Sequence, residues 1–513
     1  MNRPVVIGGG VAGLTAAVKL AQRGLRPLLL EADPEWVGGR LKDGPPVEFE
    51  SNGRRWSFPS EHGVHGLWSP YVNLKALLAE LDIAPNYVPA QDETWILGDG
   101  SWVRKAKIGR TIRKSKIPAP LHYLQLFLKP SMWRMMNIHD WASLPRVAGG
   151  LFAAMSIDPL AEQNALKGLS LADMTAGWSP NMRAMFAGLA RNALAAEAEE
   201  IPAAGWIAFL RFYTLMRRDA WGFDYLPTGG GTAVCEPLAQ KVIELGGEIM
   251  MGASVEQLIR GVDGGWQVTM RRAGQIETVA AAQVVMALDA PSAQTLLLNS
   301  LDTAETAAAL YFPQGIPTAI IRIWFDGKPQ RVSEAGMISG DFIIDNFFWL
   351  EQLQEVYRPW GEAGGSVIET HIYGPPELLD QSDAMLLTQV ARDVHRAFPE
   401  LRGRRQHIIL QRNEATHTLF SVGDAGENLT VKTPWPDLYA CGDWVYHENP
   451  ALYLERAVTT SLAAVNALLT DQNLEPHEIF QHPQPELWAQ YMSHWWQGVR
   501  VRLLRRARRK KVF

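Results

Sequence analysis

The chain has 513 residues, of which 47% are hydrophobic and 20% charged, with a formal net charge of −5. These values belong to a folded globular protein of two or three domains and exclude a disordered or fibrous one. The two cysteines, Cys235 and Cys441, lie far apart in sequence, so neither a disulfide framework nor a metal site is expected from them.

The first predicted element is a buried strand, Arg3 to Ile7, so close to Met1 that no cleaved leader is expected ahead of it. It runs into Gly8-Gly9-Gly10-Val11-Ala12-Gly13 and then a helix over Leu14 to Gln22. A second strand, Pro27 to Leu30, ends at Glu31. Strand, glycine turn, helix and acid in this order form a dinucleotide-binding pattern. Gly8 serves the tight turn, Gly10 the approach of backbone to a pyrophosphate, and Gly13 the packing of helix on sheet. The free N–H groups around Ala12 at the helix start face the anion. Glu31 is placed to accept hydrogen bonds from ribose hydroxyls and would repel a 2′-phosphate, which disfavours NADP.

Gly38-Gly39-Arg40 follows. The glycine pair gives a second close backbone approach, and Arg40 adds a charge for pyrophosphate or substrate, which moves the choice from NAD to FAD. With this two-part N-terminus the chain resembles the flavin amine oxidase and carotenoid desaturase superfamily. Six residues separate Glu31 from Gly38, one more than the family pattern, a departure that bears on where Arg40 sits.

Further along, Tyr225 to Gly231 opens a helix, Ala233 to Leu245, capped by Gly246-Gly247. A strand is expected over Glu248 to Met251, after which the resemblance assigns Val255 to the cofactor site. A hairpin follows, Trp266 to Arg271 and Ile276 to Val279 across Ala273-Gly274-Gln275, and then a separate buried strand, Gln283 to Ala287. Leu438 to Ala440 reads as a strand ending in Cys441-Gly442-Asp443-Trp444, with a helix from about Leu452 to Leu469. The resemblance makes Gly442 and Asp443 flavin-binding residues, with Asp443 accepting from the ribityl chain. In Leu454-Glu455-Arg456-Ala457-Val458 an arginine stands where the family has a glycine. That run, with Glu61-His62-Gly63-Val64-His65-Gly66, resembles the carotenoid-ring desaturase branch of the isorenieratene-synthase type.

The expected fold is α/β. A Rossmann-like, discontinuous FAD-binding domain is drawn from residues 1–81, 225–312 and 405–475. An inserted α+β substrate domain comes from 82–224, mostly helical, and from 313–404. The second of these stretches has strands over Thr318 to Phe325 and Ser366 to Tyr373 and a helix over Asp383 to Ala397. A helical membrane-facing segment and a basic amphipathic tail, 476–513, complete the division.

The resemblance implies an FAD-dependent oxidoreductase that abstracts hydride from a lipophilic carotenoid or related isoprenoid. A soluble flavin amine oxidase, a redox-neutral carotenoid isomerase and a non-enzymatic flavoprotein scaffold are the alternatives. The candidate catalytic residues are His62 and His65, either able to take a proton beside the carbon that loses hydride, and Arg456, serving flavin or substrate. His447 and Glu448 form a second polar group, and Trp444 and Tyr446 are the candidates to flank a substrate amine in the amine oxidase reading.

The charge is polarised. Ser101 to Lys116 carries seven basic residues and Arg500 to Lys511 eight, neither with an acid, so the remainder sums to −20. Trp488, Tyr491, Met492, Trp495, Trp496, Val499 and Leu503 recur at helical spacing and overlap the second basic run. Ile117 to Leu128, with Trp133, Met135 and Met136, follows the first. Aromatic anchors beside basic residues suit an interfacial helix on anionic lipid. The best candidate for a span, Ile117 to Leu128, has 12 residues and contains Pro118, Pro120 and His122, against about 20 for a span. The expectation is a cytoplasmic protein held peripherally on the inner face of the cell membrane, with no nucleic-acid partner.

Overall fold

The computed structural model describes residues 3–100, 102–330, 333–423 and 426–510. In chain order the elements used below are β1 (Arg3–Ile7), α1 (Val11–Gln22), β2 (Leu28–Leu30), β3 (Asp43–Ser51), β4 (Arg54–Glu61), α2 (Val72–Glu80), β5 (Glu93–Asp99), β6 (Trp102–Lys107), α3 (Ile138–Ser156) and α4 (Pro180–Leu194). The chain continues with α5 (Glu236–Glu244), β7 (Glu248–Met250), β8 (Ser254–Arg260), β9 (Trp266–Arg272), β10 (Gln275–Met286), β11 (Gly315–Phe325), β12 (Ala335–Gly340), β13 (Asn346–Trp349) and β14 (Ser366–Ile372). It closes with α6 (Asp383–Ala397), β15 (Arg405–Thr418), β16 (Leu438–Ala440), α7 (Tyr453–Asp471) and α8 (Leu487–Lys510).

Two seven-stranded sheets organise the molecule. In the first, β7, β2, β1, β10 and β16 run parallel, and the β8–β9 hairpin extends it antiparallel beyond β10. Its central strands are near-continuous aliphatic runs because both faces are covered. Val6 and Leu29 pack on one side with Leu14 and Val18 of α1 and Val465 of α7, while Val5, Ile7 and Val284 pack on the other with Leu296 and Leu297. The second sheet has the order β15–β11–β14–β13–β12–β5–β6. Alternate residues of β11 and β14 face opposite sides. Ile321, Ile323 and Ile368 join Leu386, Val390 and Val394 of α6 on one face, while Trp324 and Val367 meet Trp56, Phe58 and Trp360 on the other.

The segment 82–224 is mostly helical and also carries strands: β5 and β6 pair through Thr94–Lys107 and Asp99–Trp102, and β5 joins β12 in parallel. Three of the seven basic residues of the first run, Arg104, Lys105 and Lys107, therefore lie on an edge strand. Arg113, later in the same run, is spent on an ion pair with Glu93 at 2.6 Å. The hairpin arm Ile276–Val279 and the strand Gln283–Ala287 are one element, β10, since Ala280-Ala281-Ala282 contains nothing to break an extended chain. Finally, β15 is an edge of the second sheet, paired along β11, although the sequence division groups residues 405–418 with the nucleotide segments. Helix α1 also starts at Val11, three residues before the expected Leu14, with Gly13 inside it.

Candidate functional site

Between β1 and α1 the chain turns at Gly8, whose φ of +101° and 2.6 Å clearance between a would-be Cβ and the Ala287 carbonyl oxygen admit only glycine. A Cβ on Gly13 would stand 1.8 Å from the Gly8 carbonyl oxygen, so α1 lies directly against the turn. In front of Gly10, by contrast, the nearest atom to a would-be Cβ is the Gly38 carbonyl oxygen at 3.9 Å, and no side chain caps α1. The turn thus leaves an uncapped helix N-terminus facing open space. Ala12 lies at this end, its carbonyl accepting from Ser461 Oγ of α7 at 2.9 Å.

Glu31 closes one side. Its carboxylate accepts from Gly9 N at 2.6 Å and Asp33 N at 2.8 Å, and burial raises its pKa despite those bonds. The chain after β7 doubles back past it, with Ala253 N donating to the Glu31 carbonyl at 2.7 Å, and Val255 follows in β8 beside a bulge. Gly38 N donates to the Gly9 carbonyl at 2.8 Å, bringing the two glycine motifs together. Gly39 takes φ +56°, and Arg40 reaches across the molecule to Asp443 at 2.6 Å. Asp443 also accepts from Thr418 Oγ1 at 3.1 Å. Gly442, at φ +142°, is gripped by Thr460 of α7, whose hydroxyl lies 3.0 Å from both its N and its O. The glycine turn, Gly38–Arg40 and Gly442–Asp443, more than 400 residues apart in sequence, meet at one place.

The Glu61–Gly66 loop leaves β4 and crosses the face of the second sheet. Four side chains from that sheet and its flank hold it. Arg322 Nη2 donates to the Glu61 carbonyl at 2.8 Å, Asn413 Nδ2 to the His62 carbonyl at 3.1 Å, Gln354 Nε2 to the Glu61 carboxyl at 2.6 Å, and Val64 N donates to Glu369 at 2.7 Å. Arg322 and Glu369 are themselves a fully buried pair at 2.6 Å. The clamp sets His62 and His65 with ring centroids 6.3 Å apart. Burial drives both toward the neutral form: His62 falls well below its ordinary range, with His65 and Arg40 adding to the effect, and His65 drops to about 4. His417 of β15, also lowered to about 4 by burial and by Arg40, belongs to the same group. Burial and the Glu369 charge raise Glu61, so it is held as the acid.

Arg456 is not in this group as a free charge. Nη1 donates to the Asn449 carbonyl at 2.8 Å and Nη2 to the Val445 carbonyl at 3.0 Å, so its guanidinium braces the loop after Asp443. Nη1 and Nη2 are thus engaged by backbone, while Nε is buried with no hydrogen-bond partner. His447 sits on the braced loop, its Nδ1 accepting from Asn449 N. Trp444 turns away, bonded through Nε1 to the Leu288 carbonyl at 2.8 Å and tilted against Phe312 in the core, so it cannot flank a substrate amine.

A family model described as flavin containing amine oxidoreductase matches residues 11–469. The chain belongs to this family. As a flavin containing amine oxidoreductase it is an oxidoreductase whose cofactor is FAD. It is 26% identical to the carotenoid phi-ring synthase of Streptomyces griseus over 474 residues, covering 90% of this chain and 87% of that one. It is 23% identical to the carotenoid phi-ring synthase of Chlorobaculum tepidum, covering 92% and 89%. Among solved structures, cyclohexylamine oxidase from Brevibacterium oxydans superposes with a TM-score of 0.64 at 14% identity, covering 92% of this chain and 99% of that one, which is a likeness of fold.

The residues present fit a flavin. The glycine cradle is open in front of Gly10, and three buried polar atoms near Arg40 and Asp443 have no hydrogen-bond partner: His65 Nδ1, His417 Nε2 and the Tyr453 hydroxyl. Sequence reading missed Arg322, Glu369, His371, His417 and Tyr453. The available signal was a charged residue at alternate positions inside otherwise apolar strands, Arg322 in β11 and Glu369 and His371 in β14. Because His65 and His417 hold pKa values of about 4 against an ordinary 6.5, the unfolded chain binds more protons between those values. The contribution of these two histidines to stability is therefore full above pH 6.5 and is lost as the pH falls toward 4, while Glu61, raised in the fold, contributes with the opposite sign. Urea unfolding of the FAD-loaded protein across that window checks this, and His417→Gln flattens the slope.

Proposed function

We propose that the protein removes hydrogen from the ring of a carotenoid, an FAD-dependent ring desaturation. In this reading FAD lies along Gly8, Gly10, Ala12 and Gly13, with Glu31 on a ribose, Val255 at the adenine end, Gly38, Gly39 and Arg40 beside the pyrophosphate, and Gly442 and Asp443 at the ribityl chain. The substrate enters between the flavin segments and the inserted stretches 82–224 and 313–404. When bound, FAD supplies the acceptor for the hydride.

The observation that carries the substrate class is the neutralisation of three buried carboxylates at the site. Asp443 is paired with Arg40, Glu369 with Arg322, and Glu61 is held protonated. None of these three offers a free anion to an ammonium substrate, and an uncharged polyene needs none. The protein's own part is to exclude water, orient the ring and take the proton that leaves the neighbouring carbon. His65, held neutral by burial and with Nδ1 buried and unpartnered, belongs to the uncharged wall around the ring. The similarity to two phi-ring synthases along nearly their whole length supports the ring as the target.

We also propose that the protein reaches its substrate at the inner face of the cell membrane by lying on anionic lipid. No helix among the described residues is long and apolar enough to cross a bilayer. Helix α8 packs on α3, with Trp496 5.5 Å from Phe152 and Ser493 Oγ bonded to the Met155 carbonyl. Its Trp488, Tyr491 and Trp495 are left exposed, as are Leu128, Trp133 and Ile138 at the start of α3. Large aromatics turned to solvent beside cations suit the headgroup layer. The side chains of Leu503 and of the basic residues from Arg505 onward are not among those described.

Mixed without oxygen with a carotene bearing β-rings, the FAD-loaded protein is expected to lose its flavin absorbance near 450 nm in step with a ring-desaturated product. Peroxide release from polyamines with no response to carotenes contradicts the reading. On vesicles containing phosphatidylserine or phosphatidylglycerol, co-sedimentation is expected, and W488S/Y491S/W495S is expected to weaken it at least about tenfold with FAD content unchanged.

A further inference from the structure

Glu369 and His371 occupy alternate positions in β14 and share the face that the Glu61–Gly66 loop crosses, and Tyr373 follows just past the strand end. They form a connected line. The Glu369 carboxylate lies 2.7 Å from His371 Nε2, and His371 Nδ1 lies 2.8 Å from the Tyr373 hydroxyl. Burial alone would raise the Glu369 carboxyl, but the Arg322 guanidinium and the His371 bond outweigh it and keep it ionised. A carboxylate only accepts, so Nε2 carries the imidazole proton and Nδ1 is the acceptor for the Tyr373 hydroxyl. Asn346 Nδ2 donates to the same hydroxyl at 3.2 Å, which leaves the phenolic proton directed at His371.

The line ends at the flavin group of residues. His371 stands against the loop, 3.3 Å from where a Gly63 Cβ would be. Tyr373 is half-buried and interacts electrostatically with Tyr453, which in turn feels Asp443 and Arg40. The other charged groups facing it are Asp345, which accepts from Tyr373 N at 2.8 Å, and Arg191, paired with Asp345 at 3.2 Å.

We propose that Glu369–His371–Tyr373 is a proton relay whose tyrosine oxygen takes the proton lost by the substrate during desaturation. This rests on the ring-desaturation reading. Once hydride has left one ring carbon, the C–H bond on its neighbour breaks and its electron pair becomes the new C=C bond. The proton passes to Tyr373 Oη as the phenolic proton moves to His371 Nδ1, leaving an imidazolium against the Glu369 carboxylate. No oxidant beyond the flavin is required. The arrangement follows the logic of a base oriented by a carboxylate, with a phenol as the group that meets the substrate. Tyr373 is the catalytic residue in this scheme, and His371 and Glu369 act through it.

The test uses FAD-loaded enzyme in two arms. In the first, Tyr373→Phe is expected to retain FAD and melting temperature while slowing carotene-driven flavin reduction by about 10²-fold or more, with loss of the solvent deuterium isotope effect. In the second, 3,5-difluorotyrosine is placed at position 373 and its fluorine resonance is titrated. His371→Gln is expected to move the midpoint by about one pH unit or more. Flavin reduction in Tyr373→Phe within about twofold of the unaltered enzyme, with its isotope effect intact, overturns the relay. A fluorine midpoint that ignores His371→Gln overturns it as well. If no ring carotene reduces the unaltered enzyme, the substrate reading fails, and the fluorine arm alone decides the relay.

Discussion

The pair between Arg322 and Glu369 is the constraint on which the site depends. Both side chains are essentially inaccessible, at 1% and 0% exposure, and they meet at 2.6 Å. Removing one partner of such a pair costs about 3–5 kcal/mol, because the other charge is left in apolar surroundings. Here the pair also does local work. Arg322 holds the Glu61 carbonyl, Glu369 holds Val64 N and His371, and the negative charge of Glu369 helps keep Glu61 protonated. The loop that carries His62 and His65 leaves a strand near the N-terminus and is fastened to strands from the middle of the chain. It is through this fastening that the glycine-cradle sheet and the second sheet present one common surface.

The same interactions explain the electrical character of the site. Arg40 cancels Asp443, Arg322 cancels Glu369, and burial keeps His62, His65 and His417 neutral. The result is a polar but uncharged wall beside an open glycine cradle. A fold shared with cyclohexylamine oxidase does not dictate an amine substrate, since chemistry lives in the residues placed on the fold. The turning of Trp444 into the core removes a group that would give the site a different character.

What the sequence made legible was what is local. Gly8 to Gly13, Glu31, Gly38 to Arg40 and Gly442-Asp443 are contiguous motifs whose backbone demands can be read one turn at a time, and they do converge. The clamp was not legible because its partners are distant: Val64 and Glu369 are 305 residues apart and Arg322 and Glu369 are 47 apart. Nothing in either segment alone specifies the other. Strands β5 and β6 were missed because tryptophan-rich and basic stretches were read as helical, while their pairing is settled by β12, more than 200 residues later. The bracing by Arg456 was not legible for a related reason. A substitution at a glycine position announces that something has changed, but only the path of the loop 445–451 shows that carbonyls are aimed at it.

The most direct measurement is hydrogen exchange of the FAD-loaded protein, compared with Arg322→Met. The amide of Val64, bonded to Glu369, reports the clamp. The account predicts that exchange in residues 61–66 rises at least about tenfold while β1 and β2 stay protected. Protection of 61–66 that survives Arg322→Met unchanged would contradict it.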